Sequence, residues 1–295
     1  MKKIILFIAL GVILGGLIAY SAMRYIAGQR VEDEIAGFVD KTPTLEKINY
    51  GKIRVGIIWP AIHLEKIHIK LAEYAQPILI DQIDLVVQKR GHSIPLQAQA
   101  EIRGVHLSTH HGLFQAVAAE LQAMEYDDVV GTAVLDYQYD PSVKRLYLNN
   151  VSFQAEGMGR LQFELTLTNF NLSGLVAKGE QINTVSLLLA LPTMGIASGR
   201  FTYRDDSLVQ RLSRLNFQQS GQKQSVYWHH VLTQILAKEK NEQIRRSISV
   251  LQKFIDHPDF ITVTLRPATS VPLLRLIWMN KPVDLLKLFN VHITI

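Results

Sequence analysis

The stretch Ile62-His63-Leu64-Glu65-Lys66-Ile67-His68-Ile69 carries apolar side chains at its first, third, sixth and eighth positions. A half-buried strand alternates with period two, so the slip of phase after the third position marks one residue too many in the middle. Four further segments repeat the phrase: Ile78–Leu85, Ala100–Leu107, Leu146–Phe153 and Leu165–Leu172. A β-bulge supplies such an extra residue, keeps both halves of a strand facing one side, and bends it. Neighbouring copies therefore predict a curved sheet with one continuous apolar face. The candidates for that face are Ile62, Leu64, Ile67, Ile69, Ile80, Ile83, Leu85, Leu148, Val151 and Phe153. They serve either as core or as a lining for acyl chains.

The chain has 295 residues and no cysteine, which excludes a disulfide framework, a thiolate nucleophile and a cysteine metal site. Lys2 and Lys3 precede an uncharged run, Ile4–Met23, that ends at Arg24. At about 1.5 Å per residue this run matches the roughly 30 Å of a bilayer hydrocarbon core. It exceeds the apolar region of about 7–15 residues in a cleavable signal peptide. It reads as an uncleaved signal anchor, with a cut after Ser21 as the alternative. The positive residues ahead of it predict a cytoplasmic amino end and the remainder in the periplasm, as a single-pass protein of the bacterial inner membrane. Gly11, Gly15 and Ala19 share one helix face at a spacing that lets two membrane helices approach, which makes a homodimer one expectation for this segment.

Periodicity predicts an α+β protein: an N-terminal transmembrane helix (1–28), a tether (29–45), a curved, mostly antiparallel sheet of bulged strands (46–205), and a basic segment (206–295) whose helices partly cover the sheet. Within the sheet, Leu113, Phe114, Val117 and Leu121 at helical spacing predict one inserted amphipathic helix over 111–124. A degraded sixth copy of the octad falls at 181–187. In the last segment, Leu208, Val209, Leu212 and Leu215 repeat as a helix. Val231 and Ile235, then Ile244, Ile248, Leu251 and Ile255, predict one long helix or two.

Charge is local. Residues 200–255 hold ten basic and four acidic side chains, a net of +6, whereas the whole chain is +5. Arg211, Arg214, Arg245 and Arg246 are candidates for anionic lipid headgroups; a solvated helix face explains the same residues without a ligand. No aromatic and basic stacking platform appears in the octads, so nucleic acid is not an expected partner. The pairs His110-His111 and His229-His230 lack the i,i+4 spacing of a zinc helix. No phosphate-binding loop, nucleophile elbow or dinucleotide fingerprint occurs. The chain is read as a non-enzyme with no cofactor, no metal and no catalytic residues.

The run Ile48-Asn49-Tyr50-Gly51-Lys52-Ile53-Arg54-Val55, the break at Trp59-Pro60 and the first octad resemble the opening of AsmA-like envelope proteins over residues 1–110. The resemblance implies a curved periplasmic sheet that serves envelope maintenance or lipid movement. The chain departs from that family in being short and in ending on a basic helical segment. About a dozen strands at about 4.8 Å each span only some 60 Å. Two functions remain open at this stage: sheltering or moving phospholipid on the apolar face, or a scaffold whose sheet is filled by its own helices.

Overall fold

The computed structural model describes residues 44–55, 61–89, 95–171, 192–220, 224–277 and 282–295, with 35, 37, 39, 40 and 42. The predicted membrane span, with Gly11, Gly15 and Ala19, and the sixth octad lie outside the described residues. Twelve strands are present: β1 (Leu45–Asn49), β2 (Lys52–Val55), β3 (Ala61–Leu71), β4 (Ile78–Lys89), β5 (Gln97–Ser108), β6 (Asp128–Asp140), β7 (Arg145–Ala155), β8 (Gly159–Thr168), β9 (Gly195–Asp205), β10 (Phe260–Leu265), β11 (Val271–Pro272) and β12 (His292–Thr294). Their hydrogen-bonded order is β1-β3-β4-β5-β6-β7-β8-β9-β10-β12, with β2 also on β3 and β11 also on β9. The helices are α1 (Ala118–Ala123), α2 (Leu208–Ser220), α3 (Gln224–Lys238), α4 (Glu242–Asp256), α5 (Leu273–Ile277) and α6 (Pro282–Leu288), with a 3-10 turn at Gly112–Phe114.

This corrects the α+β class. The chain forms a large antiparallel sheet of twelve strands with few helices. Among the described residues no helix is long and apolar enough to cross a membrane. The described side chains that pack on the core of the first three octads come from residues 35–135. The inserted helix over 111–124 is also corrected: it is the 3-10 turn and the six-residue α1 instead. His111 caps the 3-10 turn by accepting from the Leu113 N–H, and Phe114, Leu121 and Met124 are still the residues it buries.

Two compact units divide the chain: residues 1–137 with 151–156, and residues 138–150 with 157–295. In the first, the octads do not make one-sided bulges. Glu65 pairs with Gln82 and Ile67 with Ile80, so Lys66 stands opposite Asp81 with no shift of register. Gln82 pairs with Arg103 and Ile80 with Val105, so Asp81 in turn stands opposite Gly104. Each strand inserts its extra residue in the same row. Lys66 (φ +53°) and Gly104 (φ +62°) take left-handed backbone there, which re-phases the strand while its neighbour makes the same step. A bulge proper would set two residues against one. Register shifts occur instead at Leu45/Lys47, Val87/Lys89 and Thr166/Leu167.

In the second unit, β8 and β10 flank β9 in unbroken alternation along Arg160–Leu165 and Phe260–Leu265. Leu161, Phe163 and Leu165 share one face with Phe201 and Tyr203, while Arg160, Gln162 and Glu164 share the other with Thr202 and Arg204. Helix α4 starts at Asn241, whose side chain accepts from the Gln243 and Ile244 N–H groups. It buries Ile244, Ser247 and Ile248, and its Phe254 ring sits edge-on to Tyr203 at 6.3 Å. The helix therefore lies on the Tyr203 face of β9.

Candidate functional site

The octad candidates of the first two copies converge. Ile62, Leu64, Ile67, Ile69, Ile80, Ile83 and Leu85 belong to one core cluster, none more than 5% exposed. Strand alternation before and after the matched row turns all of them to the same side. Val151 is buried, whereas Leu148 and Phe153 are half-buried and stand outside that cluster. The apolar face is thus closed at the first two octads rather than laid open as a groove.

The opposite face of the same strands carries a polar network that sequence reading passes over. Register sets Arg54, His63, Asp84 and Glu101 in one row across β2 to β5, with Lys52, Glu65, Gln82 and Arg103 in the next. His63 Nδ1 meets Asp84 Oδ1 at 2.5 Å, and Nε2 meets Glu65 Oε1 at 2.8 Å. Arg54 donates to the same Glu65 oxygen at 2.6 Å. Gln82 donates to Asp84 Oδ2. Arg103 grips Glu101 with two bonds of 2.7 Å and reaches Asp84 at 3.4 Å. His63 stands between two apolar positions in the octad, which places it on this face. Only the cross-strand register reveals its partners.

An imidazole flanked by two carboxylates holds its proton, so hydrogen bonds to Asp84 and then Glu65 raise the His63 pKa above its ordinary 6.5. The bond from His63 holds the Glu65 carboxyl below its ordinary 4.5, aided by Arg54. The unfolded imidazole titrates near the ordinary value. The stability His63 contributes is therefore complete below that value and lost as pH rises through the higher folded pKa. Glu65 contributes above its ordinary value and loses the contribution as pH falls through its depressed one. Thermal stability is expected to decline from pH 6.5 upward, and His63→Gln to flatten that decline. Melting curves from pH 5 to 9 on both proteins measure it, and an unchanged slope in the variant would show that His63 is not the source.

A cleft of about 600 Å³ opens elsewhere in the first unit, lined by Glu73, Tyr74, Gln76, Thr109, His110 and His111 among others. Its floor is built rather than reactive. His111 is 2% exposed; its Nε2–H donates to the Gln76 carbonyl at 2.8 Å while Nδ1 accepts from the Leu113 N–H. Thr109 donates to the Asp127 carbonyl. The Tyr74 ring lies where a Cβ on residue 112 would stand, which is why Gly112 is there. Among the described residues no group of three or more His, Asp or Glu side chains could hold a metal ion.

Three of the four headgroup candidates have local partners. The Arg245 guanidinium donates to the Leu236 and Glu239 carbonyls at the end of α3, at 2.8 and 3.2 Å. Arg246 pairs with Glu242 one turn away at 3.6 Å. Arg211 donates to the Ser207 hydroxyl at 3.1 Å. Arg214 is exposed on α2. Helix capping and local pairing account for three of the four.

A family model described only as "Uncharacterized protein" matches residues 152–295. No curated protein matches the chain. The match begins inside β7 and takes in the second unit from Gly157 onward. It leaves out β1 to β6, the octad core and the His63 network, and it does not reach the segment that resembles the AsmA-like opening.

Proposed function

We propose that this chain is a non-enzymatic interaction protein of the cell envelope, held at a membrane by the uncharged run Ile4–Met23, with its octad face serving as core. The observation that carries the reading is the burial of Ile62, Leu64, Ile67, Ile69, Ile80, Ile83 and Leu85, none above 5% exposed. Each such side chain contributes about 1.5–3 kcal/mol when buried. A lipid that entered this face would have to displace contacts already made. The resemblance of residues 1–110 to AsmA-like envelope proteins supports the compartment, and Lys2 and Lys3 support the orientation.

A second reading, lipid sheltering, is favoured by one observation in the second unit. Leu161, Phe163, Leu165, Phe201, Val263 and Leu265 are half-buried rather than buried. Full-length protein reconstituted with a phospholipid that carries a diazirine on its acyl chain separates the readings. The interaction reading expects label on residues 4–23 and none on 62–107, by peptide mass spectrometry. Label on 161–165 or 199–203 supports lipid sheltering on the second unit, and label on 62–107 overturns the closed core.

A further inference from the structure

Arg160 on β8 stands directly opposite Arg204 on β9, and Arg204 directly opposite Phe260 on β10. By strand alternation all three lie on the face away from Tyr203 and the α4 ring Phe254. The Thr202 and Thr262 hydroxyls, 3.2 Å apart, fix the next row on that same face. Side chains directly opposite on antiparallel strands have Cβ atoms about 4.5–5.5 Å apart, and like charges there are unfavourable.

Among the described residues no carboxylate pairs directly with either guanidinium group. Both are exposed, and among the described residues neither has a hydrogen-bond or ion-pair partner. The carboxylates next to them in sequence are occupied. Asp205 accepts from the Tyr203 hydroxyl and from the Ser207 and Val209 N–H groups at the start of α2. Asp206 accepts from the Gly157 N–H at 3.1 Å. Asp259, one residue ahead of Phe260, falls on the alternate side. Along β8 the next acid on the arginine face is Glu164, four residues on and so about 13 Å away, and Glu156 is exposed in the turn that precedes the strand. The distance to Glu164 exceeds the screening length of about 8 Å at physiological ionic strength. Arg200, by contrast, has Glu164 directly opposite.

We propose that Arg160 and Arg204 form a binding site for a phosphate group, with Phe260, 40% exposed, as an apolar shoulder beside it. The planar guanidinium presents paired N–H donors that match two phosphate oxygens, and two such forks a strand apart can hold one oxyanion from both sides. The phosphate comes either free or on a lipid headgroup. A short acyl or glycerol portion would meet Phe260.

The test is calorimetric titration of the full chain with inorganic phosphate and, separately, with dihexanoyl-phosphatidylglycerol below its micelle concentration. Binding of both establishes the phosphate site. Binding of inorganic phosphate alone assigns a free phosphate, and binding of the lipid alone assigns a headgroup. Arg160→Gln and Arg204→Gln are each expected to weaken binding about tenfold, while Arg275→Gln, an exposed arginine on α5, leaves it unchanged. Failure of both ligands to bind at millimolar concentration overturns the proposal. So does binding that survives both substitutions.

Discussion

Ile69→Ala is expected to destabilise the protein by about 2–5 kcal/mol, the range for deleting an isoleucine side chain from a packed core. Ile69 is 0% exposed and pairs with Ile48 on one side and Ile78 on the other. Ile69→Val removes one methyl and is expected to cost only about 0.5–1.5 kcal/mol. Urea unfolding followed by circular dichroism reads both, and the midpoint should fall while the slope holds. A loss under 1 kcal/mol for the alanine variant would mean that the octad face is not close-packed. The closed-core reading would fall with it.

Gly104→Ala is expected to cost about 2–5 kcal/mol, although glycine to alanine in a strand is ordinarily mild. Two effects add. The left-handed φ of +62° is unfavourable for any side chain with a Cβ, by roughly 1–2 kcal/mol. The added methyl would also meet Asp81, with the carboxylate oxygen at 2.0 Å and the Asp81 Cβ at 2.8 Å, and overpacking costs about 1–3 kcal/mol. The double variant Asp81→Ala with Gly104→Ala separates them. The carboxylate contact is relieved while the Asp81 Cβ contact and the backbone cost remain, so the double variant should recover part of the loss relative to the sum of the singles. Strict additivity would show that the carboxylate contact contributes nothing.

The octads were legible because their periodicity is a property of one strand at a time. Burial on one face and exposure on the other write themselves into IHLEKIHI without reference to neighbours, and the buried set Ile62, Leu64, Ile67 and Ile69 could be picked from it. The matched row could not be picked as readily. Whether Lys66 faces two residues or one depends on what β4 does at Asp81, so a one-sided bulge and a paired step look identical in a single strand. The His63 network has the same origin: His63, Asp84 and Glu101 are 21 and 17 positions apart in sequence and meet only through register. The α+β expectation fails because pairing through β9, β10 and β12 continues one antiparallel sheet of twelve strands, which periodicity read strand by strand does not show. Within the second unit the stripe of α4 meets Tyr203 through Phe254 and the Val291 carbonyl through Ser247. The local partners of the arginine candidates were hidden for a related reason, since composition counts charges and does not show that Arg245 donates to the carbonyls at the end of the helix before it.

The paired step at Lys66, Asp81 and Gly104 has a consequence for how these strands find one another. In a plain two-sided ladder a slip of two residues restores the alternation, so misaligned hairpins can persist. In the native register the left-handed Lys66 and Gly104 both stand opposite Asp81, and any slip separates the three steps from each other. Only one alignment brings them into a single row. The row works as a key cut across β3, β4 and β5: it rejects strands offered in the wrong setting, including those of a second, partly folded copy of the same chain.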